Sequence, residues 1–147
     1  MEGVSVEKVS KKLQLSSYTE EIDLKKCRIK IPDVNRPALQ LSGYFEHFEQ
    51  SRVQIIGMVE YTYLEHLEDE EKERIYRQFL NYDIPCVIFC RDLKPDEQFL
   101  EIARESNVPV LGTGRSTSEF MAELIYVLSE ELAPCITIHG VLVRSEE

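Results

Sequence analysis

An uninterrupted apolar run, from Ile84 to Cys90, stands out in the hydrophobic pattern of the chain, and the charged pair Arg91–Asp92 ends it. The run is too short for a helix and contains β-branched and aromatic side chains, so it predicts a strand buried on both faces. Burial of both faces requires helices on both sides of the sheet. The pattern therefore predicts an α/β fold organised around this central strand.

The pattern beyond residue 52 alternates between strands and helices. The predicted order is strand, helix, strand, helix, strand, helix, at residues 52–57, 68–81, 84–91, 95–107, 108–111 and 116–134. Pro95 is expected in the first turn of its helix, and Ser116 to Glu119 has the spacing of a capping box. A further helical turn or two is expected at 61–67. This alternation indicates a mainly parallel or mixed sheet with right-handed crossovers.

The first 50 residues predict shorter elements. Ser5 is expected to cap a helix, residues 16–21 to form a polar loop, and Pro37 to open a short helix that ends at Gly43. Strict alternation over 27–31 predicts a half-buried strand near a sheet edge. At the other end, residues 135–143 predict a strand pair or a bent strand.

The length of 147 residues fits one domain, which we expect to span 1–143, with 144–147 as a disordered or foreign tail. The net charge of −10 disfavours nucleic acid and anionic membranes as partners. No apolar run approaches the ~20 residues of a membrane span, and the start lacks the plan of a signal peptide. We therefore expect a cytoplasmic protein.

The four cysteines and the acidic run are interpreted as structural. Three of the four, Cys27, Cys86, Cys90 and Cys135, lie in strand-like apolar runs, as reduced buried thiols do. Cys86 and Cys90 are expected to share one strand face, too far apart for a disulfide or a common zinc ion. The acidic residues 68–73 lack the spacing of a calcium loop. No metal site is predicted.

The loop from Gly112 to Thr117 is the best candidate site that the residues alone indicate. It lies between a predicted strand and a predicted helix, where backbone N–H groups and the helix dipole favour an anion. Gly112 and Gly114 permit close approach, Arg115 adds a positive charge, and Ser116 and Thr117 supply hydroxyl groups. The loop lacks the lysine of a phosphate-binding P-loop. An ordinary capped helix start remains the alternative interpretation.

An ordered set of segments resembles the N-terminal domain of HPr kinase/phosphorylase, a bacterial enzyme that modifies a serine of the phosphocarrier protein HPr. The matching segments are residues 36–37, 39–45, 52–57, 60, 63–64, 84–88, 108–111, 116–120, 132–134 and 138–143. The fold also looks similar to the N-terminal domains of some Mur ligases, by analogy alone. The family continues beyond Val143 into a second domain, whereas this sequence reads Arg144-Ser145-Glu146-Glu147.

The resemblance implies a role in carbon catabolite repression for the whole enzyme, which phosphorylates and dephosphorylates HPr. ATP and magnesium belong to the second, P-loop-containing kinase domain, and no cofactor is expected in this chain. The resemblance also counts His139 among the catalytic residues, incomplete without that domain. We therefore expect this chain to be non-catalytic.

Two readings of function differ in kind. As an interaction domain, the chain would contact its kinase domain or other subunits through apolar residues such as Tyr44, Phe45 and Phe48, and the family's oligomers imply self-association. As a regulatory module, it would bind a nucleotide, phosphate or other small molecule through Arg36 and the Gly112–Thr117 loop. A thiol or metal enzyme is the third hypothesis.

Overall fold

A computed structural model describes residues 2–133 in full and the backbone of residues 135–138 and 141–144. The strands are β1 (Val4–Ser5), β2 (Ser16–Ser17), β3 (Arg28–Ile29), β4 (Val34–Asn35), β5 (Val53–Ile56), β6 (Val87–Phe89), β7 (Val110–Gly112), β8 (Cys135–Ile138) and β9 (Val141–Arg144). The helices are α1 (Val6–Leu13), α2 (Ala38–Leu41), α3 (Met58–Glu65), α4 (Asp69–Leu80), α5 (Glu97–Ser106) and α6 (Thr117–Leu132). His139 lies outside the described residues.

A five-stranded sheet in the order β2-β7-β6-β5-β4 forms the centre of the fold. Strands β4 to β7 run parallel to one another, and β2 pairs antiparallel with β7. Strand β6 is the middle strand, and its Ile88 lies between Ile55 of β5 and Leu111 of β7. The predicted α/β class, the mainly parallel sheet and the central position of the apolar run are confirmed.

Helices cover both faces of the sheet. Successive residues of β6 point to opposite faces, so they pack into two different cores. Val87 and Phe89 belong to a core with residues of α2 to α5, among them Phe79 and Phe99. Cys86, Ile88 and Cys90 belong to a second core with residues of α1 and α6. The prediction that Cys86 and Cys90 share a face is confirmed by their membership of the same core.

Local capping signals placed three helix ends correctly. Ser5 caps α1 by accepting a hydrogen bond from the Lys8 N–H, and Ser116 accepts one from the Glu119 N–H at the start of α6. Asn107 ends α5 in the left-handed conformation, with φ of 59°. The placement of Pro95 in the first turn of α5 is wrong. Asp96 is the cap, because its carboxylate accepts from the Phe99 N–H, and Pro95 precedes it.

Three predictions for short elements need correction. Residues 16–21 are not only a loop, because Ser16 and Ser17 form β2 through backbone pairing with β7. Of the predicted strand at 27–31, only Arg28 and Ile29 are extended, and they pair with β1 outside the main sheet. Helix α3 begins at Met58, before the predicted turn. Strands β8 and β9 pair antiparallel, which confirms the predicted strand pair.

Among the described residues, no helix is long and apolar enough to cross a membrane.

Candidate functional site

The carboxyl ends of the parallel strands bring together residues from four parts of the chain. Arg36 follows β4, Gly57 follows β5, Cys90 follows β6, and Thr113 follows β7. Ligands of open α/β sheets bind at this edge, because the strand ends and the helix starts leave a crevice there. We call this region the carboxyl edge.

An ion pair between the half-buried Arg36 and the buried Glu60 lies at the end of the carboxyl edge formed by β4 and β5. The Arg36 guanidinium donates from Nη2 to Glu60 Oε1 at 2.7 Å and from Nε to Oε2 at 3.1 Å. Glu60 also accepts the backbone N–H of Gly57 at 2.8 Å, which caps the start of α3. The Glu60 side chain is 3% exposed and that of Arg36 is 36% exposed. The pair therefore locks β4, β5 and α3 together while one side of the guanidinium faces solvent.

Gly57 is the point at which Arg36 meets the start of α6. A Cβ atom on Gly57 would lie 2.7 Å from Arg36 Nη2 and 2.7 Å from the hydroxyl of Thr117. Because real Cβ contacts are never so short, any side chain at residue 57 would push these groups apart. Two of the predicted binding residues, Arg36 and Thr117, therefore do come together in the fold.

Cys90, at the end of β6, lies near the same two residues, Arg36 and Thr117. Burial raises the pKa of its thiol to about 11, although the Arg36 charge and a hydrogen bond with Thr117 act in the opposite direction. Burial likewise raises the pKa of Cys86 well above its ordinary value, and that of Cys27 to a lesser extent. A high pKa keeps a thiol protonated at neutral pH, and the protonated form is a poor nucleophile.

Thiol reactivity should follow this burial. At pH 8, we expect iodoacetamide to modify Cys86 and Cys90 at least about 100-fold more slowly in the native chain than in urea, because modification needs opening of the core. Cys27 is half-buried and should react faster than either. Peptide mapping by mass spectrometry measures all three rates. Native Cys90 reacting as fast as Cys27 would contradict the prediction.

The rest of the predicted loop is held by contacts within the protein. The Arg115 guanidinium donates to the carbonyl of Leu13 at 2.8 Å and pairs with Glu123 at 3.1 Å. Its backbone N–H donates to the Thr113 hydroxyl, and its carbonyl accepts the Arg91 N–H. These contacts tie the β7–α6 loop to α1 and to the end of β6.

The two loop glycines lie against other groups. A Cβ on Gly114 would approach the carboxylate of Asp92 to 3.0 Å, and one on Gly112 would meet the Tyr18 ring at 2.7 Å. Gly112 therefore lets the aromatic ring pack against β7. A carboxylate beside Gly114 disfavours an anion at that position. Gly112, Gly114 and Arg115 thus occupy structural positions, and their role in binding stays a prediction.

The sequence did not single out Gly57 and Glu60 as site residues. Glu60 follows Gly57 by three residues, which is the spacing at which a carboxylate reaches back to the N-terminal N–H of its helix. That spacing could have identified the contact between Glu60 and the Gly57 N–H. The contact between Glu60 and Arg36 could not be predicted from the sequence, because it depends on how β4 pairs with β5. In the part of the chain that the structure describes, no three His, Cys, Asp or Glu side chains are grouped to hold a metal.

The expected apolar contact residues divide into two groups. Phe45 and Phe48 are half-buried and pack with Tyr82, with ring centroids 5.3 and 5.0 Å apart. Their inclusion in an exposed patch is therefore wrong, because they complete the core under α2 and α4. Tyr44 is exposed as predicted. Other large apolar side chains on the surface of α2 and α3 are Leu39, Met58, Val59 and Tyr63.

The family described as HPr Serine kinase N terminus matches residues 4–128 of the chain. The chain belongs to this family. The match spans the whole five-stranded sheet and most of α6, so the carboxyl edge and the loop that contains Arg115 both lie within the matched residues.

Curated relatives of the HPr serine kinase family are similar along nearly the whole chain. HPr kinase/phosphorylase of Lachnoclostridium phytofermentans is 46% identical over 97% of the chain but over only 46% of its own length. The enzymes of Caldicellulosiruptor bescii and Latilactobacillus sakei are 42% and 34% identical, over 45% of their own lengths. The chain thus spans about half the length of the curated relatives it matches.

One solved structure shares the fold at low sequence identity. It contains the CBS and DRTGG domains of the regulatory region of a Clostridium perfringens pyrophosphatase, complexed with the activator diadenosine tetraphosphate. The TM-score is 0.53 at 18% identity, over 88% of this chain and 48% of that one. The likeness agrees with the α/β architecture.

Proposed function

We propose that this chain is the N-terminal accessory domain of a bacterial HPr kinase/phosphorylase and performs no phosphoryl transfer itself. The observation that carries this proposal is the one-sided alignment, in which 97% of the chain corresponds to 46% of the relative. The parent enzyme would act on HPr in the cytoplasm. Its second domain, including a P-loop, would contact this one.

ATP and magnesium would bind to the second domain of the parent. In this chain, the loop that most resembles a phosphate-binding loop, Gly112 to Thr117, does not fit the binding of a nucleotide for phosphoryl transfer. Arg115 is engaged by Glu123 and the Leu13 carbonyl, and Gly114 faces the Asp92 carboxylate. Phosphoryl transfer needs positive charge that is free to neutralise the transferred group. The loop therefore does not supply the free positive charge that phosphoryl transfer needs.

The experiment is an assay of the 147-residue chain with ATP, magnesium and HPr, followed by mass spectrometry of HPr. We expect no phosphorylated HPr above the blank, and no release of phosphate from phosphorylated HPr. Turnover in either direction would overturn the non-catalytic part of the proposal. A full-length relative such as the Lachnoclostridium enzyme serves as the positive control.

The interaction role rests on the exposed apolar side chains of α2 and α3, and we propose a second copy of the chain as their partner. Val59 is 68% exposed near the start of α3, where an aspartate is compatible with the helix. Light scattering at high concentration should show a dimer or a larger oligomer, and Val59→Asp should shift it toward monomer. Tyr126→Asp, on α6 and equally exposed, should not. A wild-type chain that stays monomeric would contradict self-association.

A second candidate function is ligand binding at the carboxyl edge, and it is favoured by the meeting of Arg36 with Thr117 over Gly57. Arg36 keeps one solvent-facing side, so an anion could bind there without breaking its pair with Glu60. NMR titration with phosphate, ATP, UDP and sugar phosphates tests this function. Amide shifts at Arg36, Gly57 and residues 112–117 would support it. No shift at any of these positions would exclude it.

A further inference from the structure

A cavity of about 310 Å³ lies at the opposite edge of the sheet, where the parallel strands begin. Ser51 precedes β5, residues 83–85 precede β6, and Asn107 precedes β7, and all of them line it. The segment around β3 closes the cavity with Lys26, Arg28 and Lys30. The volume lies at the lower end of the range for ligand pockets, ~300–1,000 Å³. We call it the basic cavity.

The residues that line this cavity carry a net positive charge, whereas the chain as a whole is negatively charged. The chain carries 27 acidic and 17 basic residues, yet the cavity contains three cations and one carboxylate, that of Asp83. Several cations outside the cavity are paired, as Lys8 and Lys12 are with Glu131. In the described part of the chain, Lys26, Arg28 and Lys30 form no ion pair within 4.0 Å. The basic cavity therefore presents uncompensated positive charge.

Arg28 is fixed in place by acceptors that carry no charge. Its Nε donates to the carbonyl of Glu2 at 3.1 Å and its Nη2 to the carbonyl of Gly3 at 2.7 Å. Gly3 has a φ of 77°, and a Cβ there would lie 2.2 Å from the Ile29 carbonyl oxygen. Glycine at residue 3 therefore lets this segment lie close against β3, where the carbonyl groups of Glu2 and Gly3 accept hydrogen bonds from the Arg28 guanidinium. The arrangement orients Arg28 and leaves its full charge for another partner.

The remaining lining limits the class of ligand. Ser51 and Asn107 offer hydroxyl and amide groups, while Ile84 and Pro85 supply a small apolar surface. The described lining contains no aromatic ring on which a nucleobase would stack. A compact ligand with several negative charges fits this combination better than a nucleotide does.

We infer that the basic cavity is a binding site for a compact polyanion, a small metabolite that carries phosphate or carboxylate groups. Lys26 and Lys30 attract and neutralise the charge, and the oriented guanidinium of Arg28 donates hydrogen bonds to the oxygen atoms. Ser51 and Asn107 bind hydroxyl or further oxygen groups of the same ligand. The site lies at the opposite edge of the sheet from Arg36 and Thr117, so it is separate from the carboxyl edge.

The test is an NMR titration of the 15N-labelled chain with inorganic phosphate, pyrophosphate and citrate at constant ionic strength. We expect saturable amide shifts at residues 26–30, Ser51 and Asn107 with at least one probe. Phosphate and pyrophosphate binding without citrate would assign the site to phosphate compounds, and the reverse would assign it to carboxylates. Lys26→Gln combined with Lys30→Gln should raise the Kd of the binding probe at least about tenfold.

The matched control is Lys11→Gln combined with Lys94→Gln, which removes the same charge from exposed residues that do not line the cavity. We expect its Kd to stay within about twofold of wild type. Equal weakening in both double variants would reduce the site to nonspecific attraction and overturn the inference. It would also be overturned if no probe produced saturable shifts at the basic cavity, or if all shifts fell at the carboxyl edge.

Discussion

Replacing Phe89 by alanine should lower the free energy of unfolding by about 3–5 kcal/mol, the usual cost of removing a fully buried aromatic side chain. Phe89 is 1% exposed in the middle strand of the sheet. Its ring meets Tyr61 and Phe99 edge to face, with centroids 6.3 and 5.4 Å away. The variant removes these contacts and leaves a cavity that the rigid sheet cannot close. Urea unfolding followed by circular dichroism measures the change.

Two further variants make the Phe89 result interpretable. Phe89→Leu keeps most of the volume and should cost about 1 kcal/mol, so it remains measurable if the alanine variant does not fold. Tyr126→Ala removes an aromatic ring of similar size that is 68% exposed, and its effect should stay within about 0.5 kcal/mol. A loss below about 1 kcal/mol for Phe89→Ala would mean that the central strand does not organise the core.

Replacing Glu60 by alanine should lower the free energy of unfolding by about 2–3 kcal/mol. The change leaves the Gly57 N–H without its acceptor and removes the partner of Arg36. Breaking a fully buried ion pair costs about 3–5 kcal/mol, and the partial exposure of Arg36 reduces that figure. Urea unfolding measures the loss, and Glu65→Ala, at an exposed residue of the same helix, should stay within about 0.5 kcal/mol.

A double-mutant cycle separates the ion pair from the helix cap. If the pair acts as described, Arg36→Met combined with Glu60→Ala should cost at least about 0.5 kcal/mol less than the sum of the single changes. Additive single effects would show that Glu60 acts only through the Gly57 N–H. The cycle therefore tests whether β4 is fastened to α3 through these two side chains.

The parts of the fold that the sequence predicted correctly are those encoded by neighbouring residues. The apolar run from Ile84 to Cys90 indicated the central strand because both faces of that strand are buried. Ser5, Asn107 and Ser116 indicated helix ends because capping depends on residues three or four positions away. These signals are complete within a short segment.

The misplaced elements depend on pairing between distant segments. Ser16 and Ser17 form a strand only because β7 offers them a free edge, and their side chains give no apolar alternation. Arg28 alternates with apolar neighbours, yet its strand pairs with β1 because Gly3 permits the close approach. Proline is common in the first turn of a helix, but Pro95 lies before α5 because the Asp96 carboxylate caps that helix.

The candidate site shows the same division. Arg36 and Thr117 were identified individually, but their meeting over Gly57 follows from the parallel pairing of β4 and β5, which no local pattern encodes. The basic cavity was missed for the same reason. Its lysines and arginine are close in sequence, whereas Ser51 and Asn107 join them only through the strand order of the sheet.

The outermost strands of the sheet, β2 and β4, are each two residues long. A long exposed margin offers a row of unpaired amide groups to which a neighbouring molecule can add a strand, and fibrils grow in this way. Here each margin is too short to template such growth. A neighbouring copy of the chain therefore finds too short a row of amide groups on either margin to extend the five-stranded sheet into an amyloid-like stack.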